Sequence, residues 1–391
     1  AKALGCLASP HSTLEELHLA TQFMRGLGSD NIDSRLRAAE FHTDGHVHWL
    51  GTSVAALSSL DRVLVVGSNL RKDHPLLAQR VRQAARRGAQ VHALNEQVLD
   101  WAMPVANTFA APSASWVQAL ADIAAAIAQQ KGVTALVKGN ADDATAQAIA
   151  TSLLSGERKA VLLGNAAAHH AKASSLLSLA NWIGAQTGAT VGYLGEAANT
   201  VGAQLVKAQP LQGGMNAAHM LQADALKALF LLNLEPAHDC AGGQAAMAHL
   251  GRTAMVVTLS PFKTNLDISD VLLPISPFTE TAGTFVNTEG RAQSFHGVVR
   301  PLGDTRPAWK VWRVLGSMLN LPGFGFDSIE EVRAQALPTD IPARLSNACA
   351  QAIDLTPANH APVTASIYQL DGLVRRAPAL QHTTDAEVAH G

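Results

Sequence analysis

The sequence predicts an α/β protein built on parallel sheets. Short apolar runs rich in Val, Leu and Ile recur along the chain, and several end in loops of Gly, Asn or Pro. Several are followed by segments with helical spacing of apolar residues, and a strand–helix–strand crossover brings its two strands parallel. With 391 residues and 48% hydrophobic content, the chain is long enough for two or more packed cores.

Taken in order, Ser12-Thr13-Leu14-Glu15 reads as a capping box with Ser12 at the N-cap and Glu15 three residues on. Leu14, Leu17, Thr21 and Met24 give the helix its buried stripe, and Gly26-Leu27-Gly28 stops it. Asn31-Ile32-Asp33 leads into a polar loop from Ser34 to Ser53 that holds His42, His46 and His48. Three histidines invite a metal, but no carboxylate or thiol completes the set, so the reading is a polar loop with no metal. From Asp61 the pattern becomes a βαβ unit. Val63–Val66 is a buried strand, Gly67-Ser68-Asn69 a tight turn, Pro75 a helix start, and Val91–Leu94 the next strand. The outer face of that helix carries Arg80, Arg82, Arg86 and Arg87, either as a solvated face or as a docking surface for an acidic neighbour.

The unit repeats in kind. Strands are expected at Val133–Val137, Ala160–Leu163, Ala228–Leu232, Ala254–Leu259 and Val271–Ile275, with a long helix from Lys172 to Gln186. Ligands bind at the carboxyl edge of open parallel sheets, so the loops there are the candidate cradle: Gly67, Ser68, Asn69, Gly164, Asn165 and Glu235. None is G-x-G-x-x-G or a P-loop, which leaves NAD and ATP weakly supported. Gly213-Gly214 reads as a turn, His169-His170 as a cap or surface feature, and Cys240 as a small hydrophobe. Trp309 to Leu319 is a last helix, ended by Pro322-Gly323. Beyond Phe324 periodicity weakens to an irregular tail, with residues 381–391 polar enough for disorder.

One stretch stands out. Phe278 to Gln293 reads F-T-E-T-A-G-T-F-V-N-T-E-G-R-A-Q and has little helix-forming tendency, which predicts an irregular loop. Gly283 and Gly290 suit positive φ or close backbone approach, and Thr284, Asn287 and Thr288 can bond neighbouring peptides. Glu280, Glu289 and Arg291 add charge, while Phe278, Phe285 and Phe295 are expected to anchor the loop inside. These residues are expected to hold the carboxyl edge of the sheet together.

Composition removes several function classes. A net charge of -2 gives no field for nucleic acid or lipid. Cys6, Cys240 and Cys349 lie far apart without a C-x-x-C, which excludes a disulfide framework and a cluster held by local thiolates. No run approaches the roughly 18 to 20 apolar residues of a membrane span, so this stretch is expected to be soluble.

The run V-L-L-P followed by E-T-A-G-T-F-V-N-T-E-G-R resembles the signature loop of the molybdopterin oxidoreductase superfamily, which includes formate dehydrogenases and the large iron–sulfur subunit of respiratory complex I. Segments 12–33, 61–95 and 227–239 agree in order and spacing, and nearly the whole chain is similar to the C-terminal portion of that large subunit in bacterial NADH-quinone oxidoreductases. The resemblance implies two interleaved Rossmann-like domains of the molybdopterin oxidoreductase type, 1–55 with 205–320 and 56–204, followed by a C-terminal extension, 321–391. It implies that a cysteine-rich part carrying 4Fe-4S and 2Fe-2S clusters precedes the chain, which begins in mid-pattern. It further implies contact with other peripheral-arm subunits, among them the flavin-bearing NADH-oxidising one, on the cytoplasmic side of the bacterial inner membrane.

Catalytic members of the superfamily place a Cys or selenocysteine metal ligand between the first helix and the strand that begins at Asp61. Residues 34–60 contain no Cys, although Ser53, Ser58 or Ser59 could supply an oxygen ligand instead. The resemblance also implies that the family's final β domain, which closes over the pterin, is truncated in this stretch. The expectation is therefore a structural and assembly module with no catalytic residue, no metal and no cofactor of its own. The alternative is a working molybdenum oxidoreductase of the formate dehydrogenase type.

Overall fold

The computed structural model describes residues 3–41, 45–211, 213–222, 226–384 and 386. Its strands are β1 Leu4–Ala8, β2 Ile32–Asp33, β3 Arg62–Val66, β4 Gln90–Asn95, β5 Asn107–Ala110, β6 Lys159–Leu163, β7 Thr190–Tyr193, β8 Ala228–Leu232, β9 Met255–Ser260, β10 Val271–Pro274, β11 Gly283–Val286 and β12 Ala292–Phe295. Helices of eight or more residues are α1 Leu14–Gly26, α2 Pro75–Ala85, α3 Trp116–Lys131, α4 Ala144–Leu154, α5 Ala173–Thr187, α6 Gly243–Leu250, α7 Ala308–Met318 and α8 Ile329–Ala336. The chain divides into two compact units, 1–37 with 197–344 and 367–391, and 38–196 with 345–366.

These bounds differ from the expected ones, for local reasons. Residues 38–55 group with the second unit because the Tyr193 amide donates to the Trp49 carbonyl at 2.8 Å and Val47 bridges Leu345. Residues 197–204 group with the first, where the buried Asn199 amide bonds Ser12. Residues 321–391 are not one extension, since 345–366 belongs to the second unit and the segments on either side to the first.

The first unit has a parallel sheet in the order β10-β9-β8-β1-β2. Counted along the chain this is the 2-1-3-4-5 doubly wound order, whose switch point lies between β1 and β8. Phe23 of α1, Phe230 of β8 and Trp312 of α7 pack at centroid distances of 5.2 to 5.5 Å, and Phe324 closes on Phe23 at 6.4 Å. Phe324 fits because position 316 is Gly; a Cβ there would overlap its ring.

The second unit's sheet runs β5-β4-β3-β6-β7, also all parallel, which is the 3-2-1-4-5 order with its switch point between β3 and β6. Leu64 and Val66 face a core with Ile123, Ile149 and Leu176, while Val63 and Val65 face one with Val81 and Leu162. With both faces covered, the central strand is apolar throughout instead of alternating. The expected strand Val133–Val137 is absent. Gly132 caps α3 in the left-handed region (φ 67°), and Val133 and Leu136 are exposed. The edge strands β5 and β7 and the interior strand β1 were not expected. β5 and β7 are short and half-exposed, with little apolar signal.

Candidate functional site

In the first unit the conspicuous stretch is a 3-10 turn, Phe278–Glu280, followed by a β-hairpin of β11 and β12, not an irregular loop. The Asn287 amide donates to the Arg291 carbonyl at 3.0 Å and the Gly290 amide to the Asn287 carbonyl at 2.9 Å. Gly290 sits at φ 83°, as a three-residue hairpin loop with a left-handed last position requires. The Asn287 side chain accepts from the Glu289 and Arg291 amides, and Glu289 pairs with Arg291 at 3.0 Å. Phe285 and Phe295 stack at 5.2 Å, but Phe278, expected inside, is 54% exposed. Glu280 accepts from the Leu302 amide.

The hairpin is fastened to the start of α1. Thr13, not Ser12, is the N-cap: its Oγ1 accepts from the Glu16 amide at 3.3 Å while Glu16 accepts from the Thr13 amide at 3.0 Å. That shift of one residue frees Glu15, whose buried carboxylate accepts from the Thr284 amide at 2.9 Å and the Thr284 hydroxyl at 2.7 Å. Burial pushes Glu15 above the ordinary carboxylate range against these bonds, and pushes Glu16 up to about 7. Gly283 is not at positive φ; it is needed because a Cβ would overlap Thr13 Cγ2. Asn199, fully buried, completes the knot by donating to the Ser12 carbonyl and accepting from the Val286 amide, both at 2.9 Å. The sequence marks Glu15 only as a capping-box residue, and it does not mark Asn199 locally at all.

A cavity of about 380 Å³ opens at the carboxyl ends of β1, β8, β9 and β10, lined by residues such as Ser9, Glu235, Phe262 and Ser276. The tail covers it. Arg375 forks onto Asp239 at 2.8 and 3.2 Å and reaches Glu235 at 3.2 Å, and Arg376 forks onto Glu235 at 2.7 and 3.0 Å. Although burial opposes it, the hydrogen bonds from Arg376 and Thr264 and the two guanidinium charges hold Glu235 down at about 2.

In the second unit the expected cradle loops meet at the switch point, but they are bonded to one another. The Gly164 amide donates to the Val66 carbonyl at 2.8 Å and the Ala166 amide to the Gly67 carbonyl at 3.0 Å. The Ser68 amide is taken by Asn95 Oδ1 at 3.0 Å and the Asn69 amide by Asp73 Oδ2 at 2.8 Å. A Cβ at Gly67, which lies at φ 63°, would come within 2.7 Å of the Ala167 amide and of Trp116. The glycines serve backbone packing here. Asn165 is buried beside them, and burial lowers His74 to about 4, opposed by Glu196 and by a hydrogen bond to Asn165.

The remaining candidates scatter. His42 lies outside the described residues, and His48 packs on Tyr193 at 5.2 Å. Among the described residues no group of three or more His, Cys, Asp or Glu is placed to hold a metal. His169 and His170 are not surface features: both are buried, His169 pairing with Glu196 at 3.2 Å and His170 bonding the Ser113 carbonyl at 2.9 Å. Burial raises the Cys240 thiol to about 12. Ser58 and Ser59 sit on the turn entering β3, a strand length of roughly 17 Å from the loops at its other end. Gly213 lies in a bend at φ 69°. Arg80, Arg82, Arg86 and Arg87 are all exposed.

The sequence model of the molybdopterin oxidoreductase family matches residues 2–318. The chain belongs to the molybdopterin oxidoreductase family. Within it, a 67-residue stretch is 46% identical to the mitochondrial 78 kDa subunit of the NADH-ubiquinone oxidoreductase of Candida albicans, covering 17% of this chain and 9% of that protein. A 52-residue stretch is 44% identical to a Staphylococcus aureus protein named as a putative formate dehydrogenase, covering 13% and 5%. The matched stretches thus span less than a tenth of these relatives. A chain of the formyltransferase/hydrolase complex of Methylorubrum extorquens, solved with methylofuran, superposes with a TM-score of 0.56 at 15% identity, covering 81% of this chain and 91% of that one. The shared architecture is the family's fold.

The family name implies a pterin dinucleotide, and the loops do not fit one as they stand. A phosphate cradle needs backbone amides pointing at the ligand. At Ser68 and Asn69 those amides already have carbonyl or carboxylate partners, and at Glu235 the carboxylate is filled by guanidinium groups.

Proposed function

We propose that this chain is a structural and assembly module of the peripheral arm of an NADH:quinone oxidoreductase of the complex I type, and that it holds no molybdenum, pterin or cluster itself. The observation that carries the reading is the self-occupied carboxyl edge: Asn95 and Asp73 cap the amides a phosphate would need. The 46% match to the complex I subunit favours the same assignment, as does the lack of Cys between residues 34 and 60. On this reading the clusters of the intact subunit, 4Fe-4S and 2Fe-2S, lie in another part of a longer chain. They pass electrons from the flavin-bearing NADH-oxidising subunit toward quinone, on the cytoplasmic face of a bacterial inner membrane. Among the described residues no helix is long and apolar enough to cross a membrane.

A second reading, a formate dehydrogenase-type enzyme, draws on the 44% match. Disrupting the gene in its host separates the two. The scaffold role predicts that membranes lose NADH-driven quinone reduction and keep formate-driven reduction. The opposite pattern would establish the enzyme.

A further inference from the structure

We propose that the carboxyl edge of the first unit's sheet is a binding site for a peptide segment bearing two consecutive arginines, occupied in this chain by its own residues 369–381. The socket is built without the tail. Glu235 is held by the Thr264 hydroxyl at 2.8 Å, and Asp239 accepts from the Glu235 amide at 2.7 Å and is backed by Arg37 at 3.6 Å. Phe262 lies flat beneath the Arg376 guanidinium, 4.2 Å from ring centroid to Cζ. Two carboxylates that each accept a planar fork, one of them beside an aromatic face, match paired guanidinium groups and not ammonium groups.

The tail is held there by charge and not by a core. Its two short helical turns, Gly372–Arg375 and Pro378–Gln381, bury no residue, and Leu373 and Leu380 are 40% and 42% exposed. Below it the cavity keeps an unmet group, since Ser276 is 4% exposed, lines the space and its Oγ has no hydrogen-bond partner. A segment packed into a finished core would leave neither feature. Residues 369–381 therefore behave as a tethered ligand, and tethering at an effective concentration of about millimolar keeps the socket filled.

The test is complementation in trans. The full chain carrying Arg375→Ser and Arg376→Ser is titrated with a labelled synthetic peptide of residues 369–381. Saturable binding is expected to the double variant, at least tenfold weaker to the wild type, tenfold or more weaker for a peptide with both arginines replaced by lysine, and weaker in high salt. Absence of binding to a folded double variant, or equal affinity for wild type and variant, would overturn the proposal. If the variant does not fold, hydrogen exchange on the wild type decides. Amides of 373–381 should exchange faster in high salt and ahead of β8, and exchange together with β8 would contradict it.

Discussion

Gly283 lacks a side chain because Thr13 has one. The hairpin strand lies so close to the first turn of α1 that the Thr13 methyl occupies the space of a Cβ, so Gly283→Ala should destabilise the fold by about 1–3 kcal/mol through overpacking. Thr13→Ser removes that methyl and keeps the capping hydroxyl. Adding it to Gly283→Ala should recover part of the loss in a denaturant titration, and additive losses would refute the contact. Glu16 gives a second prediction at this scale. Its folded pKa is raised from the ordinary 4.5 to about 7 by burial, so its contribution is complete below 4.5 and is lost as pH rises through 7. Glu16→Gln cannot ionise, and relative to wild type it should gain up to about 3 kcal/mol between those limits. The comparison must be a difference, because His74 and His92, lowered to about 4 by burial, cost stability as pH falls from 6.5. A stability difference flat across that range would show that Glu16 is not buried as described. The sequence marks Thr284 by composition, but its partner Glu15 stands 269 positions away, and only folding pairs them.

At the scale of elements, the βαβ pattern from Asp61 was legible because a doubly covered strand is apolar without interruption, as Val63–Val66 is. Edge strands carry no such mark, and β5 and β7 escaped for that reason. The hairpin was legible in retrospect. Asn287 and Gly290 stand at the two ends of a tight loop, and a polar strand face disguised the alternation. The register of the capping box slipped by one because Ser12 and Thr13, followed by Glu15 and Glu16, satisfy the same pattern twice. The basic face of α2 belongs here too. Arg80, Arg82, Arg86 and Arg87 are exposed, and cations at a helix C-terminus are favoured locally. Exposed single pairs contribute only about 0–1 kcal/mol, so a docking role needs several together. If that face docks on a partner in the complex proposed above, replacing Arg82, Arg86 and Arg87 with Ser should leave the melting temperature unchanged and lower incorporation into it, with the gap between variant and wild type widest at low salt. Equal incorporation at low ionic strength would mark this face as merely solvated.

For the whole molecule, the strand–helix repeats announce parallel sheets, but two different doubly wound orders, 2-1-3-4-5 and 3-2-1-4-5, emerge from similar local patterns. Sequence spacing does not reveal which strands neighbour one another, because that is fixed by long-range packing. Nor does it reveal that the loops expected to cradle a ligand spend their amides on Asn95 and Asp73 and their carboxylate on Arg376. On the proposed reading, those internal bonds are what would separate a scaffold from an enzyme on one fold. The direct test is the molybdenum and pterin content of the chain purified from a host replete in both. The scaffold account predicts neither above background, and stoichiometric molybdenum with releasable pterin would contradict it.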